Sequence, residues 1–130
     1  MLVIGTSRTI EADAIGVAVP LRSEHGAMLR VIVSSLGADA GFSVDEIDDL
    51  KLAVSEIFTL LVEGADDVGA THAHAEIRPS GESLELCLHR GIVDDHLELD
   101  MLASTILSSV VDSHRIDDQG VTMLKGRQSA

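Results

Sequence analysis

The run "SVDEIDDLKLAVSEIFTLLVEGA", residues 43–65, limits the fold more than any other part of the chain. Ser43 followed three residues later by Glu46 is a capping box. The serine hydroxyl accepts from the third amide of a helix while the glutamate reaches back to the first. Beyond it Ile47, Leu50, Ala53, Val54, Ile57, Leu60 and Leu61 recur at three- and four-residue spacing, and the stripe stops at Gly64. This pattern predicts a helix of about five to six turns with one buried face. So long a stripe must be laid against a second layer, and the flanking segments supply it.

Residues 14–21, "AIGVAVPL", are apolar and β-branched and close on Pro20, which suits an edge strand. From residue 23 to about 36, Ala27, Met28, Val31, Ile32 and Ser35/Leu36 carry helical spacing, with Gly37 read as a stop and Gly41 as a turn. "ATHAHAEIR" and "SLELCLH" alternate with period two on either side of "PSGE", a hairpin turn holding Pro79 and Gly81. "MLASTILSSVV" returns to helical spacing at Leu102, Ile106, Leu107 and Val110, and "SHRID" and "GVTMLKG" form a last hairpin around "DDQG". The order β, α, α, β, β, α, β, β predicts an α/β (α+β) fold. It is a two-layer sandwich in which about three helices cover one face of a mixed, mostly antiparallel sheet. With 130 residues and 45% hydrophobic composition, one domain over residues 1–130 with a single core is expected.

Nine basic residues against 22 acidic ones leave a net charge of −13, which repels phosphate backbones and anionic membranes. No direct nucleic-acid or membrane partner is expected, and a partner drawn by charge would be basic; the same charge also serves plain solubility. The two aromatics, Phe42 and Phe58, give no stacking platform for bases. No apolar run reaches the ~20 residues of a membrane span, and "MLVIGTSRTIEADA" lacks the basic and apolar regions of a secretion signal, so a cytoplasmic location is expected. The lone Cys87 reads as a small core hydrophobe. His72 and His74 share one face of a strand, and His89, His96, Asp94 and Asp95 lie within reach in sequence, but two imidazoles do not make a metal site and none is expected. P-loop, G-x-S-x-G and EF-hand patterns are absent from the chain.

Residues 17–65 resemble the first half of the anti-sigma regulatory factors, serine kinase-like members of the GHKL ATPase superfamily. The likeness is carried by a strand ending in Pro20, by Arg30 in the next helix, and by an acidic turn before "DLKLAVSE". "VVDSHRIDDQGVTMLKGR" is similar to the family's closing helix and strand pair. The resemblance implies a GHKL, Bergerat-like fold that uses ATP and Mg²⁺. It also implies a homodimer built around the first strand and helix. Its partners would be an RNA polymerase sigma factor and an anti-anti-sigma (STAS) protein, in partner switching of the stress-response kind. Arg30 then contacts a partner or the dimer mate, unless it is an ordinary surface arginine.

The family's long helix carries E-x-x-x-N-x-x-x-H on the face that looks into the nucleotide pocket. Here that face reads Glu56, Leu60 and Gly64, so the Mg²⁺-holding Asn is replaced by a side chain without oxygen. The family's adenine-binding D-x-G-x-G corresponds to "HRGIV", with His89 for the Asp and Gly91 retained. The glycine-rich phosphate lid corresponds to "MLAS", residues 101–104, without glycine, preceded by the acidic "GIVDDHLELD". Phosphoryl transfer rests on positioning and charge neutralisation by these elements. The expectation is a pseudo-kinase with no cofactor; Glu56 is then a relic of the catalytic acid or a solvated residue at a cleft edge. The alternative is an active serine kinase using ATP and Mg²⁺.

Overall fold

The computed structural model describes residues 13–128. In chain order the elements are β1 (Ile15–Pro20), α1 (Gly26–Asp39), α2 (Val44–Val62), β2 (His72–Ser80), β3 (Ser83–His89), α3 (Met101–Val110), β4 (Ser113–Asp117) and β5 (Gly120–Gly126), with single 3-10 turns at Ser23–His25 and Asp66–Val68. The strands form one sheet in the order β1-β2-β3-β5-β4, every pairing antiparallel, and β1 stands at an edge as its proline requires. No helix among the described residues is long and apolar enough to cross a membrane. The opening segment examined for a secretion signal lies largely outside the described residues.

The capping box is present in full: the Ser43 hydroxyl accepts from the Glu46 amide at 3.1 Å and the Glu46 carboxylate accepts from the Ser43 amide at 2.8 Å. The other Glu46 oxygen accepts from the Gln128 amide at 2.6 Å, tying the end of the described chain to the start of α2. The Ser43 backbone bond, and after it the one from Gln128, holds the Glu46 carboxyl below its ordinary value of 4.5. From this anchored start α2 buries Leu50, Ala53, Val54, Ile57 and Leu61 against Ala73, Ala75 and Ile77 of β2, Leu84, Leu86 and Leu88 of β3, and Val121 and Met123 of β5. Strand alternation that sends those leucines inward sends Cys87 to the outer face of the sheet, where it is half-buried and its thiol donates to the Gln119 carbonyl. It is not a core residue.

The first helix departs from its sequence reading. Its buried side is Gly26, Leu29, Val33 and Gly37, whereas Met28 is 51% and Val31 69% exposed. Two apolar stripes overlap on this helix, and Gly37 selects between them. A Cβ there would stand 3.2 Å from Ile47 and 3.3 Å from Leu50, so the missing side chain is what lets α1 close on α2. Gly37 is therefore a packing residue inside the helix, and the chain turns at Gly41, with φ of +83°.

Neither α2 nor α3 has a basic residue in its own last turn. Buried cations from elsewhere supply the charge that these carbonyl ends favour. Lys125, on the helix-facing side of β5, donates to the Val110 carbonyl at 2.8 Å and pairs with Asp49 of α2 at 3.2 Å.

Candidate functional site

Glu56, Thr59 and Leu60 on α2, with Glu63 at the helix's C-cap, form one wall of a groove of about 250 Å³. The other wall is the segment entering α3, with Glu98, Leu99, Asp100, Leu102 and Ala103. The lining holds four carboxylates, from Glu56, Glu63, Glu98 and Asp100, and no Lys, Arg or His. Three leucines, Leu60, Leu99 and Leu102, supply its apolar surface.

A helix N-terminus opening on a groove is ordinarily a place for a phosphate, because its first amides lack partners. Here Asp100 is the N-cap of α3 and accepts from the Ala103 amide at 2.7 Å. The helix's own carboxylate stands where a phosphate oxygen would be received.

The outer wall is held by Arg90. Its guanidinium makes a two-pronged pair with Asp95, Nε to Oδ2 at 2.7 Å and Nη2 to Oδ1 at 2.6 Å, with the side chains only 5% and 7% exposed. Its Nη1 donates to the carbonyls of Glu63 at 2.9 Å and Leu61 at 3.3 Å at the end of α2. One residue thus caps the helix that forms the first wall and fastens the loop leading to the second. Sequence reading passed over Arg90; its signal was a lone arginine directly after an apolar strand, five residues before Asp95.

Of the residues singled out by pattern, Glu56 and Leu60 meet in the groove. Gly64 lies outside its lining and turns the exposed chain away from α2 with φ of +69°. His89 is 5% exposed and stacked on His74, ring centroids 5.0 Å apart, and its Nδ1 accepts from the Gly91 amide at 2.9 Å. Gly91, with φ of +72°, leaves the space beside the His74 ring that a Cβ would fill. His72 is exposed, its ring 6.5 Å from that of His74. Asp94 and His96 are exposed and Asp95 is taken by Arg90, and no group of three or more His, Cys, Asp or Glu among the described residues is placed to hold a metal ion. Arg30 is half-buried and donates from Nη1 to the Ser55 hydroxyl at 3.2 Å, bridging α1 to the residue beside Glu56.

These residues do not fit a magnesium nucleotide. Leu60 offers a hard cation no oxygen, and no lining residue neutralises phosphate charge. The volume also falls below the ~300–1,000 Å³ typical of small-molecule pockets.

No family model matches the chain. Among curated proteins it is similar to the serine-protein kinase RsbW of Bacillus subtilis, 33% identical over 88 residues, or 68% of this chain and 48% of that protein. It is also similar to the serine-protein kinase RsbW of Bacillus licheniformis, 30% identical over 108 residues, or 83% of this chain and 56% of that protein. The chain spans about half the length of these relatives. Among solved structures, the fold matches a crystal structure of the RsbU and RsbW domains of Rv1364c from Mycobacterium tuberculosis with a TM-score of 0.57 and 14% identity, over 88% of this chain and 31% of that one.

Proposed function

Because the chain belongs to the RsbW-like family of anti-sigma regulators on a GHKL frame, we propose that it is a pseudo-kinase, a binding protein that sequesters an RNA polymerase sigma factor. An anti-anti-sigma (STAS) protein competes for it, and control comes from that competition rather than from phosphoryl transfer by this chain. The observation that carries the reading is the groove at Glu56. The family's acid is kept, but it shares the lining with Leu60 and three further carboxylates and with no cation.

With like charges on both walls, a triphosphate entering the groove would be repelled by each of them. The phosphate-receiving amide of α3 is already taken by Asp100. With Leu60 at the metal-holding position, no glycine in residues 101–104 and no cation in the lining, the chain offers little of the positioning on which phosphoryl transfer depends. Glu56 is then a relic of the proton-accepting acid.

The exposed stripe of α1, with Met28 and Val31, supports a homodimer through this helix and the edge strand β1. Arg30, bound to Ser55, would set the spacing of α1 and α2 beneath that contact rather than reach a partner itself. Such a role places the protein in the cytoplasm with its polymerase partner.

Calorimetric titration with Mg·ATP tests the reading. Silence at millimolar nucleotide is expected, together with co-purification of a sigma factor from the native host. Micromolar binding would overturn this reading, and transfer of phosphate to a STAS protein would establish the active kinase instead.

A further inference from the structure

We infer that the groove between α2 and α3 receives an arginine- or lysine-bearing apolar segment of a partner protein. This deepens the proposed function, since it rests on the groove having ceased to be a nucleotide pocket. The carboxylates alone would be no more than a solvated rim. What turns them into a docking surface is the apolar material between and beside them. Leu60 and Leu99 line the groove, Leu102 lines it while 70% exposed, and Met101 next to it is 86% exposed. Two large apolar side chains standing in solvent at the first turn of a ten-residue helix, continuous with a leucine-lined groove, mark a surface that a partner covers.

Charge decides the kind of partner. Every charged group in the lining is an acid: Glu56 from α2 and Glu63 from its C-cap, Glu98 and Asp100 from the opposite wall. A side chain with an apolar stem and a cationic head satisfies both features, the stem lying on leucine and the head meeting the carboxylates. A volume of about 250 Å³ suits one or two such side chains better than a whole cofactor. The larger depression that shares Glu98 and Leu99 with the groove, about 480 Å³, carries His114 and Arg115 among its lining and lacks this one-signed character. The net charge of −13 would steer a basic segment toward the protein from a distance, while the groove selects where it docks.

The test uses the full chain and a pair of synthetic helical peptides with leucine along one face, one carrying arginine on the other face and its twin carrying glutamate there. Binding is followed by amide chemical shifts. The arginine peptide is expected to bind, to move the amides of Leu60, Leu99 and Leu102 and leave those of His114 and Arg115 in place, and to weaken with salt. The double variant Glu56→Gln/Glu98→Gln, on solvent-reaching positions, is expected to keep its unfolding midpoint and bind about five- to tenfold more weakly. Leu102→Ser is expected to weaken binding as well. Equal binding of the glutamate twin, unchanged affinity in the double variant, or shifts confined to α1 would overturn the inference. Mg·ATP added to the same sample separates the two claims. If neither peptide nor nucleotide binds, this inference fails and the pseudo-kinase reading stands; if nucleotide moves the groove amides, that reading fails first.

Discussion

Arg90 and Asp95 form a sealed pair five residues apart, joined by contacts of 2.7 and 2.6 Å, and the same guanidinium reaches two carbonyls at the end of α2. The arrangement gives four of the five N–H groups of a buried cation an acceptor. It also makes the end of one helix and the loop on the opposite side of the groove a single unit.

Removing one member of this pair leaves the other charged and buried. Asp95→Ala is expected to cost about 3–5 kcal/mol in urea unfolding. The apolar double replacement Arg90→Met/Asp95→Leu is expected to cost less than the single one, because no lone charge remains. A double replacement as costly as Asp95→Ala would show that the carbonyl contacts, rather than the pair, carry the stability.

Acid should reveal Glu46. Its carboxyl is held below 4.5 by the Ser43 and Gln128 amides, so its contribution is fully present above that value and is lost as pH falls through the depressed one. Glu46→Gln is therefore expected to lower the urea midpoint at neutral pH and to flatten the decline below pH 4.5 relative to the parent chain. Parallel acid profiles for the two proteins would contradict this.

Two glycines with positive φ should respond differently to alanine. At Gly64, with φ of +69° and nothing within 4 Å of the added Cβ, the cost is that of the left-handed backbone alone, about 1 kcal/mol. At Gly120, with φ of +120°, the Cβ would fall 2.3 Å from the Leu88 carbonyl oxygen and 2.7 Å from the His89 Cβ. Gly120→Ala is expected to cost at least ~3 kcal/mol by thermal or urea unfolding and to disturb the β3–β5 pairing.

Met28 and Val31 face solvent at 51% and 69% exposure. Met28→Asp/Val31→Asp is expected to change the stability of the isolated chain by less than about 0.5 kcal/mol per site. In sedimentation, the same variant should abolish any dimer formed through α1. A dimer that survives the change lies on another face.

Local chemistry was legible before the structure. The capping box at Ser43 and Glu46, the 3.6-residue stripe of α2, and the period-two alternation of β2 and β3 each specify an element from neighbours a few residues apart, and each element forms, although β2 begins at His72 and runs on through Pro79 and Ser80, two residues read as turn, because both pair with β3. Glu56 and Leu60 could be assigned to one face because four-residue spacing alone puts them there. Alternation also held the information that Cys87 points away from the leucines beside it, although its composition suggested otherwise.

The choice between the two apolar stripes of α1 was not legible, because both have helical period. Only the close approach of Ile47 and Leu50 to Gly37 decides it. The helix ends were equally silent. The cations that satisfy them stand 27 residues from Glu63 and 15 from Val110 along the chain, delivered by a loop and a strand that reach those carbonyls only once the sheet has formed. The sequence by itself determined the elements and the one-signed charge of the segments that make the groove. Tertiary structure decided that those segments face each other across about 250 Å³, because period and capping act within a few turns, whereas a groove exists only where two separately determined surfaces are packed together.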